Sequence, residues 1–337
     1  MNMTEQFWAF IDELTAGGDV SDITLSSDGR VAVRQRGQLV LNKAEWLSAG
    51  WAALHGHATS QSTKPGAATW VMNGPGGRRL RTTLSRHRKG ASFSLRPLAD
   101  LIPSPDSLLL PEALLDCFCT LRGGLVLVAG PTGSGKTTTV SALLKARAGR
   151  VGGKYVTLED PVEHNHQDGD AAFFEQRELG RDVCSYAEGL REALHMNPDV
   201  IAVQEIREAE AAETALAAAL SGHLVVASMH AFSASTTPQR FMAIINPGLE
   251  DLGARDALAS CLEAVVVQRL VPGYDRMVPV FEILLFRDGT GRSAPMERLV
   301  RQGNWPALRQ EIEVGGRLGM VSWEESLRRR KDEGLIP

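Results

Sequence analysis

Residues 125–137 read Leu-Val-Leu-Val-Ala-Gly-Pro-Thr-Gly-Ser-Gly-Lys-Thr, an apolar run followed by a glycine-rich turn. The turn matches the pattern G-x-x-x-x-G-K-[ST] of a phosphate-binding loop. The apolar run predicts a buried strand before the loop, and we expect a helix from about Thr137 through Arg147 after it. A strand, a loop and a helix in this order form the context in which the pattern binds a nucleotide.

The residue types in the loop suit that chemistry. Backbone N–H groups of a glycine-rich turn wrap the β-phosphate, Lys136 neutralises phosphate oxygens, and the hydroxyl of Thr137 is a ligand for Mg²⁺. The positive N-terminal end of the following helix points at the phosphates. We therefore predict that the nucleotide is held by Gly130, Pro131, Thr132, Gly133, Ser134, Gly135, Lys136, Thr137 and Thr138.

The composition limits the class of protein. The chain has 337 residues, of which 43% are hydrophobic and 23% charged, as in a globular protein of two domains or one large one. The net charge of −4 provides no whole-protein argument for nucleic-acid binding, so we expect no direct nucleic-acid partner. No apolar run approaches the ~20 residues that span a bilayer. We expect a cytoplasmic protein for which any membrane association is through partners.

Patterning divides the chain into two domains and a linker. Residues 1–98 contain an amphipathic segment at 5–16 and alternating segments at 22–41 and 79–96, which predict a small α+β domain with an antiparallel sheet. Four prolines within 97–111 indicate a linker, which we place at 99–111.

Residues 112–337 predict an α/β domain. Helical segments there alternate with short apolar strands at 125–129, 154–158, 199–204 and 223–229, the pattern of a parallel sheet with crossover helices. Beyond residue 270 we expect a strand pair within 278–286 and a tail of helices near 295–301, 305–313 and 322–333.

Two acidic segments follow predicted strands. Residues 155–163 read Tyr-Val-Thr-Leu-Glu-Asp-Pro-Val-Glu, and a carboxylate of Glu159 or Asp160 near the γ-phosphate orients or deprotonates the attacking water. Residues 198–207 read Pro-Asp-Val-Ile-Ala-Val-Gln-Glu-Ile-Arg, an apolar run that ends in an acidic residue. We predict that this residue, Glu205, holds Mg²⁺ or its water. Taken alone, each segment is also compatible with an ordinary charged strand end.

A histidine segment completes the set. Residues 222–230 read Gly-His-Leu-Val-Val-Ala-Ser-Met-His, so that His223 opens a strand and His230 closes it. An imidazole at a strand end is able to sense the γ-phosphate by hydrogen bonding, a role that we assign above all to His230. A lone histidine is more often structural.

Together these motifs resemble the secretion ATPases of the PilT/VirB11/GspE superfamily, and the PilT-like type IV pilus motors in particular. The resemblance implies a PAS-like N-terminal domain and a RecA-like ATPase domain, ATP and Mg²⁺ as ligands, a homohexamer, and an inner-membrane platform protein as partner. It implies that Glu159 is the catalytic glutamate, that Glu205 is the Walker B acid and that His230 is a sensor. Arg81 and Arg96 match arginines that reach toward nucleotide across a domain or subunit boundary.

Departures from the family pattern keep alternatives open. Gln204 stands where a glycine is usual, Ala231 where a threonine is usual, and 296–302 differs from the retraction segment of PilT-like motors. One alternative is a type IV secretion or conjugation ATPase of the VirB11/DotB kind. Another is a nucleotide-binding regulator that hydrolyses little and acts on a paralogous ATPase. Arg81 and Arg96 also fit a solvated basic edge.

Overall fold

A computed structural model describes residues 3–16, 20–35, 38–43, 51, 54, 68–74, 77–98, 101–246, 252–288 and 291–337. The chain forms two compact units. Unit 1 comprises Met1–Leu101 together with Asp160–Asn165, and unit 2 comprises Ile102–Glu159 and His166–Pro337. Residues 99 and 100 of the predicted linker lie outside the described residues.

Most of the predicted linker belongs to unit 2. Ile102 and Leu110 are buried in the core of that unit, and Lys145 Nζ donates a hydrogen bond of 3.1 Å to the carbonyl of Ile102. Arg330 Nη2 donates one of 2.8 Å to the carbonyl of Leu109. Apolar side chains among the prolines therefore attach this segment to the larger unit.

Unit 1 is a helix packed on an antiparallel sheet, as the alternating pattern predicted. The sheet has the order β3-β2-β1-β6-β5-β4, and all of its neighbours are antiparallel. Phe7 and Ile11 of the helix are buried with inward side chains of the strands, such as Leu25 and Phe93. The elements are α1 (Met3–Ala16), β1 (Val20–Ser26), β2 (Arg30–Gln35), β3 (Gln38–Lys43), β4 (Ala68–Asn73), β5 (Arg79–His87) and β6 (Gly90–Pro97).

Unit 2 is built on a mostly parallel sheet of the order β13-β12-β7-β11-β10-β8-β9. All neighbours are parallel except β12 and β13. Every residue of β7 and β11 is buried, as in sheets that helices cover on both faces. The strands are β7 (Gly124–Ala129), β8 (Gly153–Glu159), β9 (Ala172–Glu178), β10 (Val200–Val203), β11 (Leu224–Met229), β12 (Leu262–Pro272) and β13 (Met277–Leu285), with a short pair β14 (Arg287–Asp288) and β15 (Gly291–Arg292).

The helices of unit 2 include the predicted C-terminal tail. They are α2 (Glu112–Thr120), α3 (Lys136–Val151), α4 (Tyr186–Leu194), α5 (Ala209–Leu220), α6 (Thr237–Ile245), α7 (Leu252–Cys261), α8 (Ala294–Gln302), α9 (Trp305–Val314) and α10 (Trp323–Asp332), with a 3₁₀ turn at Gly315–Leu318. Among the helices that the structure describes, none is both long and apolar enough to cross a bilayer.

Several strands escaped prediction, namely β4, β9, β12 and the short pair of β14 and β15, and one expected strand pair was wrong. β9 has the sequence Ala-Phe-Phe-Glu-Gln-Arg-Glu, which lacks clean alternation. β12 follows α7 directly, so its apolar run has no turn signal before it, and such runs are ambiguous between helix and strand. The segment within 278–286 is one strand, β13, that pairs with β12 instead of forming a pair by itself.

Candidate functional site

The glycine-rich loop connects the carboxyl end of β7 to the first turn of α3. Gly130 has a φ of 154°, and a Cβ built on it would lie 2.4 Å from the carbonyl oxygen of Gln268. Gly135 precedes α3 with a φ of 87°, in the left-handed region that favours glycine. Only glycine suits these two positions, because the backbone of the loop runs close to Gln268 of β12.

The polar groups of the loop suit an anion. The ammonium of Lys136 donates to the carbonyls of Gly130 and Pro131, at 3.1 and 3.0 Å. Burial lowers the pKa of Lys136, while the nearby charge of Glu205 opposes that shift. Among the residues that the structure describes, none hydrogen-bonds to the buried Oγ of Ser134. A cation, an unsatisfied hydroxyl and the N-terminal end of a 16-residue helix thus fit a nucleotide phosphate.

Glu159 ends β8, and neighbouring side chains hold its carboxylate. Side chains on a strand alternate between faces, so Thr157 and Glu159 share a face, and the parallel register places Gln176 of β9 beside Thr157. Both donate to Oε1 of Glu159, Thr157 through its hydroxyl at 2.7 Å and Gln176 through Nε2 at 2.9 Å. Glu159 is 7% exposed, so these bonds orient a largely buried carboxylate.

A small cavity is lined both by Glu159 and by Thr137 of the phosphate-binding loop. Its volume is about 20 Å³, and Thr137, Glu159, Gln204 and Ser228 are among the residues that line it. A cavity above ~10–15 Å³ has room for one water molecule. The structure therefore places the predicted magnesium ligand Thr137, a carboxylate and a water-sized space next to one another.

Two side chains, Arg207 and His230, lie against the carboxylate of Glu205. Arg207 Nη2 is 2.6 Å from its Oε2, and His230 Nε2 is 2.7 Å from its Oε1. Burial raises the pKa of Glu205, but the hydrogen bond and charge of Arg207, with the charges of His230 and Lys136, outweigh burial and lower the pKa overall. The carboxylate is thereby kept ionised, as a ligand for Mg²⁺ or its water must be.

His230 joins Glu205 to the loop. Its Nδ1 lies 3.2 Å from the carbonyl of Gly130, on the side of the ring opposite to Glu205. Both ring nitrogens therefore face oxygen atoms, so the imidazole lies between the carboxylate of Glu205 and the backbone of the loop. His223 precedes β11, at the other end of that strand, and its Nδ1 pairs with the hydroxyl of Ser221 at 3.1 Å. Of these two histidines, His230 is the one that contacts Glu205 and the loop.

A family model described as "Type II/IV secretion system protein" matches residues 111–282, half of the chain. The type IV pilus retraction ATPase PilT of Pseudomonas aeruginosa is 34% identical over 78% of this chain and 74% of its own length. This chain belongs to the type II/IV secretion ATPase family.

Other members of the family agree with this assignment. Protein YggR of Escherichia coli (strain K12) is 35% identical over 77% of this chain and 77% of its own length. The crystal structure of the pilus retraction motor PilT with bound ADP superposes with a TM-score of 0.80 at 28% identity, covering 98% of this chain and 94% of that chain. The α/β fold with a smaller, β-rich N-terminal unit is thus confirmed.

The residues matched by the secretion ATPase family model include the loop, Glu159, Glu205 and His230. Arg81 and Arg96 precede them, on β5 and β6 of unit 1, where they are register partners. Arg81 pairs with Glu163 at 2.7 Å and Arg96 with Asp22 at 2.9 Å. Their predicted contact with nucleotide stays a prediction.

Sequence reasoning assigned no role to two glutamines of the site. Gln176 lies on β9, where it donates to Glu159. Gln268 is 2% exposed on β12, and its Oε1 accepts a hydrogen bond of 2.5 Å from the hydroxyl of Thr139, in the first turn of α3. The signal for Gln268 was a polar residue inside the apolar run of β12, because a buried amide needs partners.

Proposed function

We propose that this chain is the ATP-hydrolysing motor of a type IV pilus system, acting in pilus retraction or related pilus dynamics. The observation that carries the proposal is the cavity shared by Thr137 and Glu159. It joins a phosphate-binding loop to a carboxylate with room for one water between them. The relatives named for pilus retraction support the choice of machine.

In this proposal each polar group has one task. The amides of 130–137 bind the phosphates of ATP, and the ammonium of Lys136 exchanges the carbonyls of Gly130 and Pro131 for phosphate oxygens. Glu159 accepts a proton from water as the water oxygen bonds to the γ-phosphorus. The bond from that phosphorus to the bridging oxygen breaks, and ADP and phosphate form.

Mg²⁺ fits the groups that the loop and β10 present. Thr137 offers a hydroxyl and Glu205 an ionised carboxylate, both hard oxygen donors of the kind that Mg²⁺ prefers, with water in the remaining positions. When bound, the ion neutralises charge on the phosphate oxygens. His230, in contact with both Glu205 and the loop, is placed to register whether the phosphate site is filled.

The assembly belongs to the same proposal. We infer a cytoplasmic homohexamer that acts on an inner-membrane platform protein, with Arg81 and Arg96 completing a nucleotide site across a domain or subunit boundary. Guanidinium groups suit that role because they grip phosphate oxygens bidentately and keep their charge. Closure of such sites in turn around a ring converts hydrolysis into mechanical work.

Purified protein tests the proposal directly. We expect Mg²⁺-dependent release of phosphate from ATP that Lys136→Ala abolishes, and a mass of six chains by light scattering with ATP present. A stable monomer at micromolar concentration with ATP would contradict the ring. In the host, deletion of the gene should stop pilus retraction; a defect confined to conjugation would favour the secretion alternative.

Gln204 favours a second candidate, a weakly hydrolysing regulator of a paralogous motor. Gln204 is among the residues that line the cavity with Glu159, and its backbone hydrogen-bonds to Leu158 and Ser228. A carboxamide in this position competes for the space of the attacking water. Turnover by the wild type no faster than that of Lys136→Ala would select the regulator.

A further inference from the structure

The chain leaves unit 2 immediately after Glu159 and returns to it at His166. The six residues between, Asp160–Asn165, pack with unit 1 instead. We refer to them as the 160–165 loop. Any displacement of this loop acts first on the residues that flank it, and one of these is the proposed catalytic carboxylate.

Unit 1 holds the middle of the 160–165 loop through two arginines of β5. Arg79 donates to the carbonyls of Glu163 and Val162, at 2.6 and 2.7 Å. Arg81 pairs with the carboxylate of Glu163 at 2.7 Å, in a position where the side chains are only 32% and 17% exposed. Charge-assisted hydrogen bonds of this kind are the strong ones in proteins. The loop is therefore attached to unit 1 by backbone and side chain.

Gln176 of β9 connects the two ends of the same loop. Its Oε1 accepts a hydrogen bond of 2.8 Å from the backbone N–H of His166, and its Nε2 donates one of 2.9 Å to Oε1 of Glu159. A backbone N–H only donates, so the amide must present its oxygen to His166 and its NH₂ group to Glu159. The orientation of the amide is thus determined by the chemistry of its partners.

We propose that Gln176 is a positioning residue that transmits the placement of the 160–165 loop to the carboxylate of Glu159. The proposal rests on the proposed ATPase function. When unit 1 shifts the loop, the N–H of His166 moves, the amide of Gln176 follows its acceptor, and the donor on Glu159 moves with it. Thr157 holds the same oxygen from its own strand and is the part of the cradle that does not depend on the loop.

The test is a double-mutant cycle between Gln176→Met and Glu163→Gln. Gln176→Met keeps the side-chain volume and removes both hydrogen bonds. Glu163→Gln weakens the attachment to Arg81 without altering Arg81 itself. The same Gln→Met change at Gln310, exposed on α9, is the matched control. Thermal unfolding of all variants checks that each one folds.

Two readouts are needed, turnover and the affinity for MgADP with aluminium fluoride, a mimic of the transition state. For Gln176→Met we expect kcat and the affinity for the mimic to fall about 10- to 100-fold, while KM for ATP and the Kd for ADP change less than twofold. Glu163→Gln should lower both quantities by about threefold. The double variant should be no worse than Gln176→Met alone, because both changes interrupt one connection.

Several outcomes would overturn the proposal. Additive effects in the double variant would show that Gln176 acts independently of the loop. Equal losses of affinity for ADP and for the mimic would show a general binding or folding role. If Gln176→Met does not fold, an unchanged affinity of Glu163→Gln for the mimic is enough to reject the connection. These results differ from a failure of the proposed function, in which the wild type shows no Mg²⁺-dependent hydrolysis.

Discussion

Glu159 is the last residue of β8 and Glu205 follows the neighbouring parallel strand β10, yet different groups contact their carboxylates. Glu159 receives hydrogen bonds from the hydroxyl of Thr157 and the amide of Gln176, both neutral. Glu205 lies against the guanidinium of Arg207 and the imidazole of His230. Arg207 helps to hold the pKa of Glu205 below its usual range. Glu159 instead lines the water-sized cavity beside Thr137. The difference suits a general base at Glu159 and a permanently charged ligand at Glu205.

The largest expected effect comes from removing the proposed base. Glu159→Gln should lower kcat by about 10²- to 10⁴-fold, because an amide does not accept the proton of the attacking water, while ATP still binds. Steady-state phosphate release and fluorescent-nucleotide binding measure the two quantities. Glu175→Gln, the same change on the adjacent strand β9, is the control. Wild-type turnover by Glu159→Gln would show that another group is the general base, so that Glu159 and Glu205 would not differ in the proposed way.

Glu205→Gln should act on the metal. We expect the Mg²⁺ concentration for half-maximal activity to rise about 10- to 100-fold, since a neutral amide replaces the charged group that holds the ion or its water. Activity should recover in part at high Mg²⁺, which Glu159→Gln should not show. The measurement is a titration of ATPase rate with Mg²⁺ at fixed ATP. An unaltered titration midpoint would remove Glu205 from the metal site.

The smallest effect concerns the cation beside Glu205. The side chain of Arg207 is 69% exposed, so Arg207→Ala should reduce the free energy of unfolding by less than about 1 kcal/mol at neutral pH. The folded protein lowers the pKa of Glu205, so the pair stabilises the fold above the unfolded pKa of about 4.3 and ceases to do so as pH falls through the lowered folded value.

Urea unfolding of wild type and Arg207→Ala across the acidic range measures this dependence. The difference between the two proteins should stay constant from pH 7 down to about 5 and shrink below about 4. Arg298→Ala, on the exposed side of α8, supplies a reference arginine. A difference that grows on acidification would mean that the carboxylate is not the partner that matters.

How far the site was predictable depends on how local each contact is. Contacts within a short segment are predictable from the sequence motif alone. The glycine loop is such a segment, and so is the one that contains Glu205 and Arg207. The contact of His230 with Gly130 spans 100 residues and requires that β11 lie next to β7. To place Gln176 in the site, one must predict β9, which lacks a recognisable alternation of polar and apolar residues. To place Gln268, one must predict β12, which follows a helix without a turn signal between them.

The sequence by itself determined the phosphate-binding loop, because eight consecutive residues carry both its backbone freedom and its charges. It also determined the two-unit α/β character, because hydrophobic periodicity reflects burial on local faces. Only the tertiary structure decided which side chains surround Glu159 and Glu205, and that the 160–165 loop belongs to unit 1. Those choices follow from strand order and register, which the burial of the whole sheet sets and which no single segment contains.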